Sequence, residues 1–179
     1  VDETRPALAD FGADAAVNLA GAPIARWPFT AAHRRRVLES RTRSAALLAR
    51  ALAQTPNGPR VLVSASAVGY YGNRGQETLD EGSGPGSGFL ADVCRAWESA
   101  NDPASQAGIR VVTARFGIVL SGSGGALTVM KVPFQLGVGG RIGSGRQYMS
   151  WIAIEDVVRA IVHAIGREGL SGPVNVTAP

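Results

Sequence analysis

The sequence is poor in the residues that mark disulfide-bonded, metal-binding and membrane proteins. Cys94 is its single cysteine, which excludes an internal disulfide and fits a reducing compartment such as the cytoplasm. The two histidines lie far from this cysteine and from each other, and the spacing matches no metal site. No apolar run approaches the ~20 residues that a membrane-spanning helix needs. The sequence therefore predicts neither a metal centre nor a membrane segment.

Two common functional signatures are also missing, the dinucleotide fingerprint GxGxxG and the hydrolase elbow GxSxG. The nearest match runs from Gly69 to Gly75 and spells GxxGxxG after a predicted strand. A phosphate-binding turn needs a helix that begins within the motif. Here the following residues, QETLDEGSGP, are typical of a loop, and their carboxylates would repel phosphate. We predict that this segment is a loop that does not bind phosphate.

Positive charge is concentrated in one segment, although the net charge is only +4. Residues 33–36 read His-Arg-Arg-Arg, and Arg41 and Arg43 follow. Such a patch binds phosphate or nucleic acid, or it is the solvated face of a helix. A helical apolar stripe favours the solvated face and consists of Val37, Leu38, Ala45, Leu48 and Leu52. We therefore predict no nucleic-acid partner.

The hydrophobic pattern alternates between strands and helices. Four segments are typical of strands, namely residues 15–20, 60–66, 109–116 and 173–177. Three are typical of helices, namely residues 31–54, 89–100 and 155–167, with Thr30 and Asp156 as expected caps. A short helix is also expected near residues 127–134. Helices between buried strands predict an α/β domain over residues 1–179, with a Rossmann-like parallel sheet covered on both faces.

The stretch from Arg60 to Gly72, RVLVSASAVGYYG, is the most informative part of the sequence. A buried strand passes into small hydroxyl and alanine residues, and ligands bind at the carboxyl ends of strands in α/β sheets. Ser66 is the best catalytic candidate because its hydroxyl is able to stabilise charge that develops on a substrate oxygen. The alternative is that this hydroxyl only satisfies a backbone group at the end of the strand.

Several segments together resemble the extended short-chain dehydrogenase/reductases, the nucleotide-sugar epimerase and dehydratase family. Residues 60–72 resemble the active-site strand of that family, which ends in a catalytic Ser followed by Tyr-Gly. Residues 16–21 and 110–120 resemble two strands beside its cofactor, and residues 146–158 resemble its substrate loop. The phrase GSGRQYMSWI is similar to an atypical branch that lacks the usual catalytic set.

The resemblance implies binding of NADP or NAD and of a small-molecule substrate, and it allows a homodimer. The implied cofactor contacts lie at strand ends and are Asn18, Leu19, Ala20, Gly21, Ser64, Ala65, Phe116, Gly117, Ile118 and Val119. Arg141, Arg146 and Trp151 are candidate substrate contacts, because Arg pairs with phosphate or carboxylate and Trp stacks on rings. The alternatives are solvation for the arginines and core packing for the tryptophan.

The sequence departs from the family at the proton-transfer pair. In the family, an active-site Tyr is followed four residues later by a Lys that lowers the Tyr pKa. In the matching helix, the pair is Phe89 and Val93, or Leu90 and Cys94. Tyr70 or Tyr71 is a replacement acid, although a tyrosine that packs over the cofactor or substrate explains the pattern equally well. Lys131, the only lysine, is far from both in sequence.

The family's first half, a glycine-rich strand–helix–strand unit, is not found in the chain. We therefore expect this chain to be part of a longer protein. The expected function is redox or epimerase chemistry on a small sugar-like or anionic substrate. The alternative is a regulatory protein that binds the dinucleotide but has lost catalysis.

Overall fold

Strands and helices alternate in a computed structural model of the chain, which describes residues 12–24, 28–141 and 143–179. The strands are β1 (Ala15–Asn18), β2 (Val61–Ala67), β3 (Arg110–Phe116), β4 (Ile118–Ser121), β5 (Trp151–Ala153) and β6 (Gly172–Val176). The helices are α1 (Ala31–Ala53), α2 (Phe89–Ser99), α3 (Asp102–Gln106), α4 (Gly125–Gln135) and α5 (Ile154–Gly166). A short 3-10 helix, Val68–Tyr71, continues directly from β2.

Four parallel strands form the main sheet, in the order β1-β2-β3-β6. This arrangement confirms the predicted parallel Rossmann-like sheet. A second sheet of two parallel strands, β4 and β5, lies beyond the carboxyl end of β3. The carboxyl ends of β2, β3 and β6 are therefore adjacent, and side chains from all three strands meet there.

Helices cover the main sheet on both faces because side chains of a strand alternate between them. On one face, Leu62 of β2 packs with Leu52 of α1 and Ala104 of α3. On the other face, Val63 packs with Ala164 of α5. Both faces of β2 are apolar, which explains its continuous hydrophobic run.

Helix α1 begins and ends where its sequence signals predict. The Thr30 side chain caps it by accepting a hydrogen bond from the backbone N–H of His33. After Ala53 the chain turns, and Asn57 has a φ of 54°. Arg34, Arg35 and Arg36 are exposed, as expected for a solvated face, whereas Arg41 is buried and departs from that interpretation.

Three short elements were not predicted from the sequence: α3, β4 and β5. Each has three to five residues, which is too short for a periodic pattern to develop.

The predicted cap at Asp156 is wrong. Helix α5 begins at Ile154 with Ala153 as its N-cap, and Asp156 instead pairs with Arg159 in the first turn.

Within the described residues, no helix is long and apolar enough to cross a bilayer.

We expect Leu62→Ala to lower the free energy of unfolding by about 2 to 5 kcal/mol, because it leaves a cavity in the core. Leu62 is 1% exposed, whereas Leu47 on α1 is 47% exposed. Leu47→Ala is the matched control and should change stability by no more than about 0.5 kcal/mol. Urea unfolding followed by circular dichroism measures both. Equal losses in the two variants would contradict this description of the core.

Candidate active site

Three polar residues lie side by side where the central strands end. The sheet register aligns Ser66 of β2 with Arg115 of β3, and Arg115 with Asn175 of β6. Because residues in register on parallel strands point to the same face, the three side chains meet on the face covered by α2. This edge of the sheet is where α/β proteins bind ligands.

Arg115 and Glu98 form a buried ion pair at the centre of this row. The guanidinium donates twice to the carboxylate, from Nε to Oε1 at 3.0 Å and from Nη2 to Oε2 at 2.9 Å. Their side chains are 4% and 16% exposed. Burial alone would lower the pKa of Arg115, but its hydrogen bonds with Glu98 and Tyr71 outweigh burial and raise the pKa. Arg115 is therefore a permanent, fixed cation.

Ser66 is buried, and its hydroxyl donates to Glu98 Oε1 at 2.6 Å. The proton of this candidate catalytic group is thus directed at the ion pair. The alternative inferred from the sequence was that the Ser66 hydroxyl only satisfies a backbone group. In the structure, this hydroxyl instead donates to the Glu98 carboxylate. Ser66 also forms a hydrogen bond with Cys94, which opposes the rise that burial causes in the pKa of the Cys94 thiol.

Both candidate tyrosines contact Arg115. Nη1 of Arg115 donates to Tyr71 Oη at 2.9 Å, and Tyr71 Oη donates to Asn175 Oδ1 at 2.7 Å. The ring of Tyr70 lies over the same guanidinium, with its centroid 3.6 Å from Cζ. The 3-10 helix that follows β2 therefore places one hydroxyl and one aromatic face on a single cation.

The glycine-rich segment after Tyr71 is a loop, as predicted, and the next helix begins only at Phe89. Two contacts hold this loop to the site. Gly86 N–H donates to Tyr70 O at 2.9 Å, and Asn175 N–H donates to Glu81 Oε1 at 2.7 Å. A Cβ on Gly86 would lie 2.0 Å from Tyr71 O, so only glycine permits this approach.

An open cleft of about 1560 Å³ adjoins these residues. Its walls include Tyr71 and the following loop 72–79, the start of α2, residues 144–150, and Asn175. Tyr71 and Asn175 thus connect the ion-pair network to the cleft. The hydroxyl of Tyr71 lies between the Arg115 cation and the Asn175 amide, and Tyr71 itself is part of the cleft wall.

The three predicted substrate contacts differ in position. Arg146 lines the cleft, whereas Arg141 and Trp151 are exposed and are not among its lining residues. Trp151 lies on β5, and its exposed side chain does not support the alternative that it packs in the core. Of the three, the structure brings only Arg146 towards Tyr71.

The predicted cofactor contacts at the ends of β1 and β2 are small or exposed. Leu19, Ala20 and Gly21 are exposed, and Ala65 is buried. Asn18 Oδ1 accepts a hydrogen bond from the Ala20 N–H at 3.1 Å. At these two strand ends, two buried polar atoms lack a partner among the described residues, namely Asn18 Nδ2 and the hydroxyl of its sheet neighbour Ser64.

The residues after β3 that we predicted to contact the cofactor form hydrogen bonds within the protein. The N–H of Gly117 donates to Val176 O at 3.1 Å, and the N–H of Ile118 donates to Ser150 O at 2.8 Å. Phe116 and Val119 are partly buried against the core formed with Val157 of α5. The N–H groups of Gly117 and Ile118 are therefore engaged within the protein, and the contact of these four residues with a cofactor stays a prediction.

Four contributors to the network were not identified from the sequence: Arg115, Glu98, Asn175 and Glu81. One signal was present, because an arginine inside the apolar strand VVTARFG needs a buried counter-charge. The sequence does not indicate which acidic residue supplies it. Glu98 follows Trp97 on α2, 17 residues from Arg115, and only the packing of α2 on the sheet joins them.

A comparison with known families decides the relationship. The profile of the NAD-dependent epimerase/dehydratase family matches residues 1–176. The chain belongs to this family. The resemblance inferred from the strand-end motifs is thereby confirmed.

Curated relatives agree with this assignment. An epimerase family protein of Mycobacterium bovis is 49% identical over 166 residues, which are 93% of this chain and 54% of that protein. One from Staphylococcus epidermidis is 40% identical over 174 residues, covering 93% of this chain and 56% of the relative. The chain thus spans about half the length of the curated relatives it matches.

Solved structures share the fold. A nucleoside-diphosphate sugar epimerase from Corynebacterium glutamicum superposes with a TM-score of 0.84 at 44% identity, over 94% of this chain and 35% of that one. A human epimerase family protein, solved with NADPH, gives 0.83 at 37% identity, over 93% and 57%. A UDP-glucuronic acid 4-epimerase from Bacillus cereus, solved with NAD, gives 0.79 over 93% and 54%, and its 16% identity supports the fold alone.

Among the described residues, no three His, Cys, Asp or Glu side chains lie close enough to hold a metal ion. The candidate site is built from the tyrosine, serine, arginine and carboxylate groups described above. Their arrangement is able to stabilise negative charge on one phenolic oxygen.

We expect Glu98→Ala to lower the free energy of unfolding by about 3 to 5 kcal/mol, because it leaves Arg115 buried without its carboxylate. Asp156→Ala is the matched control, since the Asp156–Arg159 pair is exposed on both sides. Its loss should cost about 1 kcal/mol or less. Thermal and urea unfolding measure both variants. A small, equal effect in the two would show that the buried pair does not stabilise the site.

Proposed function

We propose that this chain carries the catalytic and substrate-binding part of an NAD(P)-dependent oxidoreductase or epimerase that acts on a small sugar-like or anionic molecule. The observation that supports this most directly is Tyr71, a residue of the cleft wall whose hydroxyl oxygen accepts a hydrogen bond from the Arg115 guanidinium at 2.9 Å. Because the chain spans about half of its curated relatives, the activity belongs to the protein as a whole.

The residues at the ends of β1 and β2 fit one side of a dinucleotide. Ala20 and Gly21 are small and exposed, so a ligand is able to approach the backbone. The buried Asn18 Nδ2 is a donor without a partner in the described chain. A bound nicotinamide would supply hydride transfer. We propose NADP or NAD as the cofactor, and the solved human relative in complex with NADPH supports this choice.

We propose Tyr71 as the group that exchanges a proton with the substrate hydroxyl or carbonyl. In the family, a lysine charge assists a tyrosine on the helix that matches α2. Here Arg115 donates to the phenolic oxygen of Tyr71 and would stabilise negative charge that develops on it during transfer. Ser66, which binds Glu98, acts by fixing the carboxylate that holds Arg115.

Arg146 is the proposed contact for an anionic part of the substrate, because it lines the cleft together with Tyr71. A guanidinium recognises phosphate or carboxylate through paired hydrogen bonds. Arg141 and Trp151 lie outside the cleft lining, and their substrate contacts stay predictions. A homodimer and a cytoplasmic location also stay predictions.

A non-catalytic dinucleotide-binding protein is the second candidate. The hydroxyls of Ser66 and Tyr71 both donate within the protein, to Glu98 and Asn175. Helix α2 also lacks the Tyr and Lys of the family. Binding of NADPH or NADH without product formation, together with a protein partner whose affinity depends on the cofactor's redox state, would support this candidate.

We expect Tyr71→Phe to lower kcat by about a hundredfold or more, as loss of a general acid–base group does. The affinity for NADPH should stay unchanged, because the ring and its packing remain. Tyr70→Phe is the matched control, since it keeps the aromatic face over Arg115 and should retain activity. Turnover of nucleotide sugars such as UDP-glucuronic acid, followed by product chromatography, gives kcat. NADPH fluorescence gives the affinity.

Equal activity of Tyr71→Phe and the unmodified protein would exclude Tyr71 as the proton-transfer group. A loss of kcat in Tyr70→Phe, with Tyr71→Phe active, would instead assign the role to Tyr70. Failure of the unmodified protein to bind either reduced cofactor would contradict the proposed function itself.

A further inference from the structure

Arg41 is the second buried arginine of the described chain, and its surroundings differ from those of Arg115. Both are at least nine-tenths buried. Arg115 has the carboxylate of Glu98, whereas no acidic side chain among the described residues pairs with Arg41. A buried cation is costly unless an anion compensates it. Among the described residues, the buried guanidinium of Arg41 therefore has no counter-charge.

The guanidinium of Arg41 is held in one orientation. Nη1 donates to Ala22 O at 3.0 Å and to Val37 O at 3.1 Å, and Cζ lies 5.1 Å from the Trp97 ring centroid. The Nε and Nη2 groups donate to no partner in the part of the chain that the structure describes. One edge of the guanidinium is thus anchored, and the donors of the other edge have no partner among the described residues.

This guanidinium lies against the backbone after β1. A Cβ on Gly21 would be 3.0 Å from Arg41 Cζ, so a side chain there would force the guanidinium to shift by a few tenths of an ångström. Two further α1 side chains hold the same loop: Ser40 Oγ accepts from the Ala22 N–H at 2.9 Å, and His33 Nε2 lies 3.0 Å from Ile24 O. These hydrogen bonds hold the loop at the carboxyl end of β1 against Arg41 and the rest of α1.

Other buried donors lie in the same region. Asn18 Nδ2 at the end of β1 and Trp97 Nε1 beside Arg41 both lack partners among the described residues. Burial lowers the pKa of Arg41, and Cys94 offsets part of this shift. Buried donors and a positive charge with no anionic acceptor among the described residues form an environment that an anionic oxygen complements.

We propose that Arg41 binds a phosphate oxygen of the dinucleotide cofactor. The bound phosphate would lie over Gly21 and Ala22 at the carboxyl end of β1. This inference rests on the proposed function, because the cofactor is what brings a phosphate to this edge of the sheet. It assigns a role to Arg41 that is distinct from the exposed arginines of α1.

The test compares Arg41→Gln with Arg43→Gln, a control on the same helix whose side chain is 79% exposed. NADPH affinity is measured by fluorescence, and inorganic pyrophosphate is titrated while the arginine Nε–H signals are followed by NMR. We expect the Arg41 signal to shift and saturate with pyrophosphate. Arg41→Gln should weaken NADPH binding by about tenfold or more, the effect of one charge-assisted hydrogen bond, and Arg43→Gln should not.

Several outcomes would overturn the proposal. If Arg41→Gln lowers thermal stability but leaves NADPH affinity unchanged, Arg41 only fixes the loop, and the proposed function stands. If Arg41→Gln and Arg43→Gln weaken binding equally, the effect is general electrostatics. If the unmodified protein binds neither NADPH nor pyrophosphate, both the inference and the proposed function fail. Arg41→Lys keeps the charge, and partial recovery of affinity with it would support direct contact with phosphate.

Discussion

The buried ion pair between Arg115 and Glu98 is the interaction on which the site depends. A guanidinium inside a sheet is tolerated only if an anion and further acceptors satisfy it. Glu98 supplies the anion, and that requirement fixes α2 against β3. The same pair orients Ser66 through the carboxylate and Tyr71 through the guanidinium. The positions of the Ser66 and Tyr71 hydroxyls therefore follow from the compensation of one buried charge.

The proposed site takes its tyrosine and its cation from different secondary-structure elements than the family does. The family places a tyrosine and a lysine on one helix, so their spacing follows from the helical repeat. Here the tyrosine comes from the 3-10 helix after β2, and the cation comes from the neighbouring strand β3. The distance between them depends on sheet register, which is rigid because both strands are central.

The two buried arginines divide the strand ends into two regions. Arg115 is neutralised by Glu98 and lies near the cleft, where the proposed proton transfer takes place. Arg41 has no carboxylate partner among the described residues and lies against Gly21, at the end of β1. A dinucleotide has phosphates at its centre and a reactive ring at one end. Under the proposal above, the uncompensated arginine faces the phosphates and the compensated one lies near the reactive end.

The sequence by itself determined the parallel α/β fold, the family, most strands and helices, and the loop after Tyr71. It did so because buried strands, amphipathic helices and glycine-rich turns leave local patterns. It also named Ser66 and Tyr71 as candidate site residues, and their catalytic role stays a prediction. The tertiary structure alone decided that Glu98 pairs with Arg115, that Asn175 accepts from Tyr71, and that Arg41 is buried beside Gly21. These contacts join residues far apart in the chain, and their partners follow from sheet register and helix packing, which no local pattern contains.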